Sequence, residues 1–172
     1  MPCLMPIRVN TFFLCISGSL VLIAAGYGQD SSIFSGRTDV TQILDMESNK
    51  TCTTIANYPL AVIGSSFGLV DNTPVVCSGG TNDGRKPECY YHDKASDTWN
   101  LLLTMSPLRY KAGYIPLRGG LWIVGGQSLH GANTKTSVFV YMNGTEVEGP
   151  ELPDRRMTPC LVALNEDEVS KG

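Results

Sequence analysis

Val75-Val76-Cys77-Ser78-Gly79-Gly80 recurs as Leu121-Trp122-Ile123-Val124-Gly125-Gly126, which sets the two diglycines 46 residues apart. The prolines keep step, with Pro59, Pro107 and Pro153 separated by 48 and 46 residues. A fixed period of this size marks a repeat architecture. Each copy is a short apolar run ended by glycines, which reads as a buried strand followed by a sharp change of backbone direction.

Working outward, the first unit covers about 59–106 and the second about 107–152, within a repeat region of 40–172. In the first unit, Leu60 to Ile63 and Ser66 to Val70 read as an inner strand and Pro74 to Ser78 as the second. Thr81 to Pro87 reads as a polar loop, with Glu88 to His92 and Thr98 to Leu103 as the last two strands. The second unit repeats the plan with strands at Ala112 to Leu117, Leu121 to Gly125, Ser137 to Met142 and Thr145 to Glu148, and a polar loop at Gln127 to Lys135. Asn143-Gly144 between extended segments is a strong hairpin signal. Val40 to Leu44 and Thr51 to Ile55 are strand-like as well, and Thr158 to Leu164 opens a partial third unit from 153. No helical apolar period is evident, and 18 glycines and 10 prolines punctuate the chain, so the fold class is all-β.

Four strands per unit with a diglycine after the second resembles the kelch repeat, one blade of a β-propeller. The residues that carry the resemblance are Gly79-Gly80 and Gly125-Gly126 after apolar strands, Arg109 and Arg156 ahead of first strands, Trp99 six residues after Asp93, and Tyr141 on a third strand. The resemblance implies that the glycines allow positive φ and close backbone approach. It assigns Trp99 and Tyr141 to packing between blades. The pattern also departs from the family's: His92 stands where a Tyr is usual, and Val147 or Glu146 where a Trp is. Two units cannot close a ring, since propellers have four to eight blades. The chain therefore reads as part of a longer protein, with a splice form or an open assembly of several chains as the alternatives.

Residues 1–28 differ from the rest. Arg8 is the only charge before Asp30, Thr11 to Ala25 is apolar, and Gly26-Tyr27-Gly28 is a small-residue exit. This pattern is that of a secretory signal peptide cut after Gly26 or Gly28. An anchor helix would need about 20 apolar residues. Residues 29–39 are polar and Ser-rich and read as a flexible leader. With the signal removed no other segment could span a membrane. The remaining chain carries 12 basic against 16 acidic residues, a net of −4, and keeps Cys52, Cys77, Cys89 and Cys160. The absence of a basic cluster argues against nucleic acid as a partner.

An even cysteine number in a secreted chain implies disulfides. Cys77 ends a second strand and Cys89 starts a third, neighbouring strand ends in an antiparallel blade, so these two are expected to pair. Cys52 and Cys160 pair with each other or with cysteines outside this sequence. Asn49-Lys50-Thr51 and Asn143-Gly144-Thr145 are glycosylation sequons, so Asn49 and Asn143 are candidate sites. The two histidines, His92 and His130, come with no nucleophile elbow, triad spacing, P-loop or metal-ligand spacing. Arg155-Arg156 could suggest an anion site, but Asp154 beside it favours a structural role. No catalytic residue, metal or cofactor is implied. The function expected is a secreted module that binds an extracellular protein or glycan through the 81–87 and 127–135 loops, without catalysis. The alternative is the opening part of a secreted propeller enzyme whose catalytic residues lie in other blades.

Overall fold

The computed structural model describes residues 7–9, 12–29, 35–47, 52–128, 130 and 132–163. Fifteen strands and no helix occur among them. The amino-terminal strands are β1 (Ile7–Val9), β2 (Phe12–Ser17), β3 (Leu20–Ala24), β4 (Tyr27–Gln29), β5 (Ser35–Arg37), β6 (Thr41–Asp45) and β7 (Cys52–Ile55). Then come β8 (Ser66–Val70), β9 (Thr73–Thr81), β10 (Gly84–Asp93) and β11 (Thr98–Thr104), followed by β12 (Gly113–Leu117), β13 (Gly120–Val124), β14 (Ser137–Tyr141) and β15 (Glu146–Gly149). They form three four-stranded antiparallel sheets, ordered β2-β3-β6-β7, β8-β9-β10-β11 and β12-β13-β14-β15, with a small β1-β4-β5 sheet beside them.

Alternation along each strand decides what each sheet covers. Leu121 and Ile123 of β13 and Val138 and Val140 of β14 pack on Val70, Val75, Cys77 and Cys89 of the second sheet. On the other side of β9, Val76 joins Leu22, Ala24, Tyr58 and Val62. β9 is thus buried on both faces, which is why Val75-Val76-Cys77 is apolar without a break. The far face of the third sheet carries Ile115, Trp122, Phe139 and Val147, register partners across all four strands.

The same backbone devices recur in each sheet. A pair of positive-φ residues follows β3 and β13 and falls within β9: Ala25-Gly26 (51° and 107°), Gly125-Gly126 (67° and 85°) and Ser78-Gly79 (62° and 142°). Gly26 N–H donates to Val62 O at 3.0 Å, and Gly126 N–H to Arg156 O at 2.8 Å. Thr38 N–H donates to Gly26 O at 2.9 Å, and Thr134 N–H to Gly126 O at 3.0 Å. Ile63 and Gly80 exchange two hydrogen bonds, as do Tyr110 and Gln127, each residue 47 positions after its counterpart. The equivalence is therefore Gly79 with Gly126, one residue away from the 46-residue spacing of the diglycines.

Observed and expected elements differ at several places. Within the apolar run read as a signal peptide lie β2 and β3, and Leu22, Ile23, Ala24 and Ala25 are buried. Gly18-Ser19 interrupts the run with a turn, and an apolar run broken this way serves two buried strands as well as it serves a leader. The flexible leader at 29–39 contributes the end of β4 and all of β5, which pair with each other. Thr81 to Pro87 is not a loop: β9 and β10 run on to a two-residue Asn82-Asp83 turn followed by Gly84 at φ +127°. An Asp-Gly step between extended runs is itself a hairpin signal. Leu60 to Ile63 forms no strand beyond the isolated pairing of Ile63 with Gly80. Nor do Thr158–Ala163 form one, since no second strand of that unit is present among the described residues to pair with. Leu164 lies outside them.

Cys77 and Cys89 are bonded, 12 residues apart, and both are wholly buried within the core between the second and third sheets. The bond clamps paired strands in that core. Opening it, by reductant in denaturant or by replacing both residues with Ala, is expected to cost about 3 kcal/mol through the entropy of a short released loop. Guanidinium unfolding with and without reductant measures this, and equal midpoints would refute it. Cys160 is an exposed free thiol, so it does not pair with Cys52, whose side chain lies outside the described residues.

Candidate functional site

The ends of the second strands and the connections between sheets meet on one face. Gly64, Lys111 and Thr158 stand 47 residues apart with φ of 66°, 53° and 52°. Lys111 N–H donates to Gly64 O, and Thr158 N–H to Lys111 O, both at 2.8 Å, so each connection is hung on the one before it. Beside this ladder opens a cavity of about 620 Å³, lined by Gly64, Ser65, Phe67, Lys111, Tyr114 and Thr158 among others. Phe67 and Tyr114 form its aromatic wall, their ring centroids 4.4 Å apart. Burial pushes the Tyr114 phenol up to about 12, so it stays protonated at neutral pH. Ser65 Oγ is buried without a hydrogen-bond partner.

Tyr110 directly precedes Lys111, one of the lining residues. A Cβ on Gly64 would lie 2.7 Å from its ring and one on Gly80 3.0 Å, so the glycines let the ring approach the backbone closely. Arg85 lies over the ring at 4.9 Å and Lys111 at 5.3 Å. Arg85 donates to Gln127 Oε1 at 3.0 Å and to the Ser128 carbonyl, tying the second sheet to the segment after β13. Arg37, at the end of β5 in the small sheet, donates to Asn82 Oδ1 at 2.9 Å, tying that sheet to the β9–β10 turn. Among the described residues no carboxylate lies within ion-pair distance of Arg37, Arg85 or Lys111.

Of the two expected binding loops, 127–135 lies on this face and 81–87 is the β9–β10 hairpin that reaches it through Arg85. Arg109 is 1% exposed and donates to Thr134 Oγ1 at 2.7 Å and to Thr136 Oγ1, so it anchors the end of the 127–135 segment. Arg156 is exposed and pairs with Asp154 at 3.6 Å. Tyr110 and Arg85 were not anticipated. The 47-residue step from Ile63 to Tyr110 was the available signal for the first.

The remaining residues take structural places. His92 fills its aromatic slot 5.1 Å from Trp99 and meets Asp97 Oδ1 at 3.0 Å. The Ala56 N–H and then His92 hold the Asp97 carboxyl below its ordinary range. Trp99 donates to Ala56 O at 3.0 Å and packs 5.0 Å from Tyr58. Tyr141 is 37% exposed, edge-on to Phe139. His130 is exposed. No group of three or more His, Cys, Asp or Glu comes together among the described residues, and no helix there is long and apolar enough to cross a membrane. Asn143 is exposed on the β14–β15 turn, at the opposite end of the strands from Gly125-Gly126. Asn49 lies outside the described residues.

No family model matches the chain. No curated protein matches it. Among solved structures it is similar to that of YjhT, with a TM-score of 0.67 and 16% identity over 83% of this chain and 46% of that one. The chain thus spans about half the length of that structure, and at this identity the likeness is one of fold.

Proposed function

We propose that the three four-stranded sheets are kelch-type β-propeller blades, and that the chain serves outside the cell as a module that binds a protein or glycan without turning it over. The observation that carries this reading is the open cavity beside the ladder of connections, lined by Phe67, Lys111 and Tyr114, with the Tyr110 ring lying under both Lys111 and Arg85. Binding surfaces are commonly built this way, from irregular segments held on a rigid scaffold. The buried Cys77–Cys89 bond supports an oxidising compartment. The exposed Asn143 sequon would carry a glycan away from the cavity and leave it free.

The test is direct. The secreted protein is presented to arrays of glycans and of extracellular proteins, beside an Arg85→Ala/Lys111→Ala variant shown by circular dichroism to be folded. A specific ligand is expected whose affinity falls at least about tenfold in the variant, with the ligand recovered chemically unchanged. Binding indifferent to the double substitution would refute this cavity as the site. Release of a modified ligand would refute the non-catalytic reading.

A further inference from the structure

We infer that Leu20–Gln29 remains in the working protein as part of its first blade, and that any leader-peptidase cut falls on the amino-terminal side of Leu20, not after Gly26 or Gly28. This rests on packing and hydrogen bonding and does not depend on the binding reading.

The segment has the outward marks of a leader's end: an apolar stretch, then small residues. Each of those marks has a structural cause here. The apolar stretch is β3, an interior strand paired with β2 on one side and β6 on the other. Leu22 and Ala24 face Tyr58, Val62 and Val76, and Ile23 is also wholly buried. The small-residue exit opens at Gly26, the second member of the positive-φ pair Ala25-Gly26, which is the counterpart of Ser78-Gly79 and Gly125-Gly126. Gly26, at φ +107°, stands where a side chain would be strained whatever surrounds it.

The decisive comparison is with the third sheet. Four backbone hydrogen bonds around Ala25-Gly26 have counterparts around Gly125-Gly126. Ala25 N–H to Val40 O matches Gly125 N–H to Thr136 O, and Tyr58 N–H to Asp39 O matches Leu152 N–H to Lys135 O. The pairs Gly26–Val62 and Thr38–Gly26 match Gly126–Arg156 and Thr134–Gly126. A removable leader has no reason to reproduce the contacts of a repeat 100 residues away. A repeat unit must, because each unit cannot bury its face alone. A cut after Gly26 would strip β6 of its inner partner and uncover Tyr58 and Val62, which close the core of the next sheet.

The test is the amino terminus of the native protein. The full chain is expressed in a secreting eukaryotic cell, recovered from medium and cells alike, and read by Edman sequencing and intact mass. A first residue at or before Leu20 is the expected result. A mature chain beginning anywhere from Val21 onward overturns the inference. A second measurement uses two purified chains, one complete and one starting at Gln29. The shorter is expected to lose its cooperative thermal transition or to melt at least about 10 °C lower. Equal melting would also overturn the inference.

Discussion

Gly79→Val is expected to cost about 4 kcal/mol, from backbone strain and overpacking acting together. At φ +142° the backbone is where a branched residue is strongly disfavoured. A Cβ there would also stand 2.8 Å from Val62 Cβ and run into Ser65 Oγ, both on the connection that holds the first and second sheets together. Two companion variants separate the causes. Gly84 has φ +127° but nothing within 4 Å of a Cβ. Gly84→Ala therefore carries strain alone, about 1 kcal/mol. Ser78 holds φ +62° with its Oγ buried and unpartnered. Ser78→Gly is accordingly expected to stabilise by up to about 1 kcal/mol. Urea midpoints of the three purified proteins decide the matter. If Gly79→Val costs no more than Gly84→Ala, the close approach at the repeat's glycine is not what holds the connection.

Tyr58→Ala has a comparable expected cost, about 4 kcal/mol, as for other large core truncations. Tyr58 is 1% exposed and meets Tyr90 and Trp99 edge-on, at 5.6 and 5.0 Å. These two rings belong to the second sheet, whereas the Tyr58 backbone N–H is held by Asp39 O at 2.8 Å, beside the first sheet. The ring is thus a wedge between units. Its hydroxyl lies 3.5 Å from Val76 O, too long for a strong hydrogen bond. Tyr58→Phe is therefore expected to cost under about 1 kcal/mol. Burial pushes the phenol well above its ordinary pKa, so it stays protonated through the alkaline range. A large penalty for Tyr58→Phe, or a small one for Tyr58→Ala, would show that the ring's packing is not the source of its stabilisation.

The second and third sheets could be read from pattern alone. Val75-Val76-Cys77 and Leu121-Trp122-Ile123 are apolar because their strands lie between or against neighbours, and the turns carry residues suited to turning. The first sheet was hidden for a physical reason. Alanine occupies one of its two positive-φ positions, so no diglycine announced it. Its second strand is as apolar as the core of a leader, which is how the sequence reads. Ser78 caused a smaller error: a serine in a left-handed conformation shifted the apparent equivalence of the glycines by one residue. At the cavity, Lys111 and Gly64 were legible only as a spacing. That Arg85 and Lys111 share one aromatic ring depends on how the β9–β10 hairpin leans on the connection between the second and third sheets, which no local pattern records.

β9 is covered on both sides, whereas the first and third sheets each lean on the middle one by a single face. In such a stack each layer is held by its immediate neighbours, and stability is close to a sum over adjacent contacts. Damage therefore stays local in the outer layers. An outer sheet can come away while the disulfide-clamped middle sheet persists, whereas loss of the middle sheet strips both neighbours of their cover at once. Tolerance to sequence change should follow the same gradient, widest in β15 and narrowest in Val75, Val76 and Cys77.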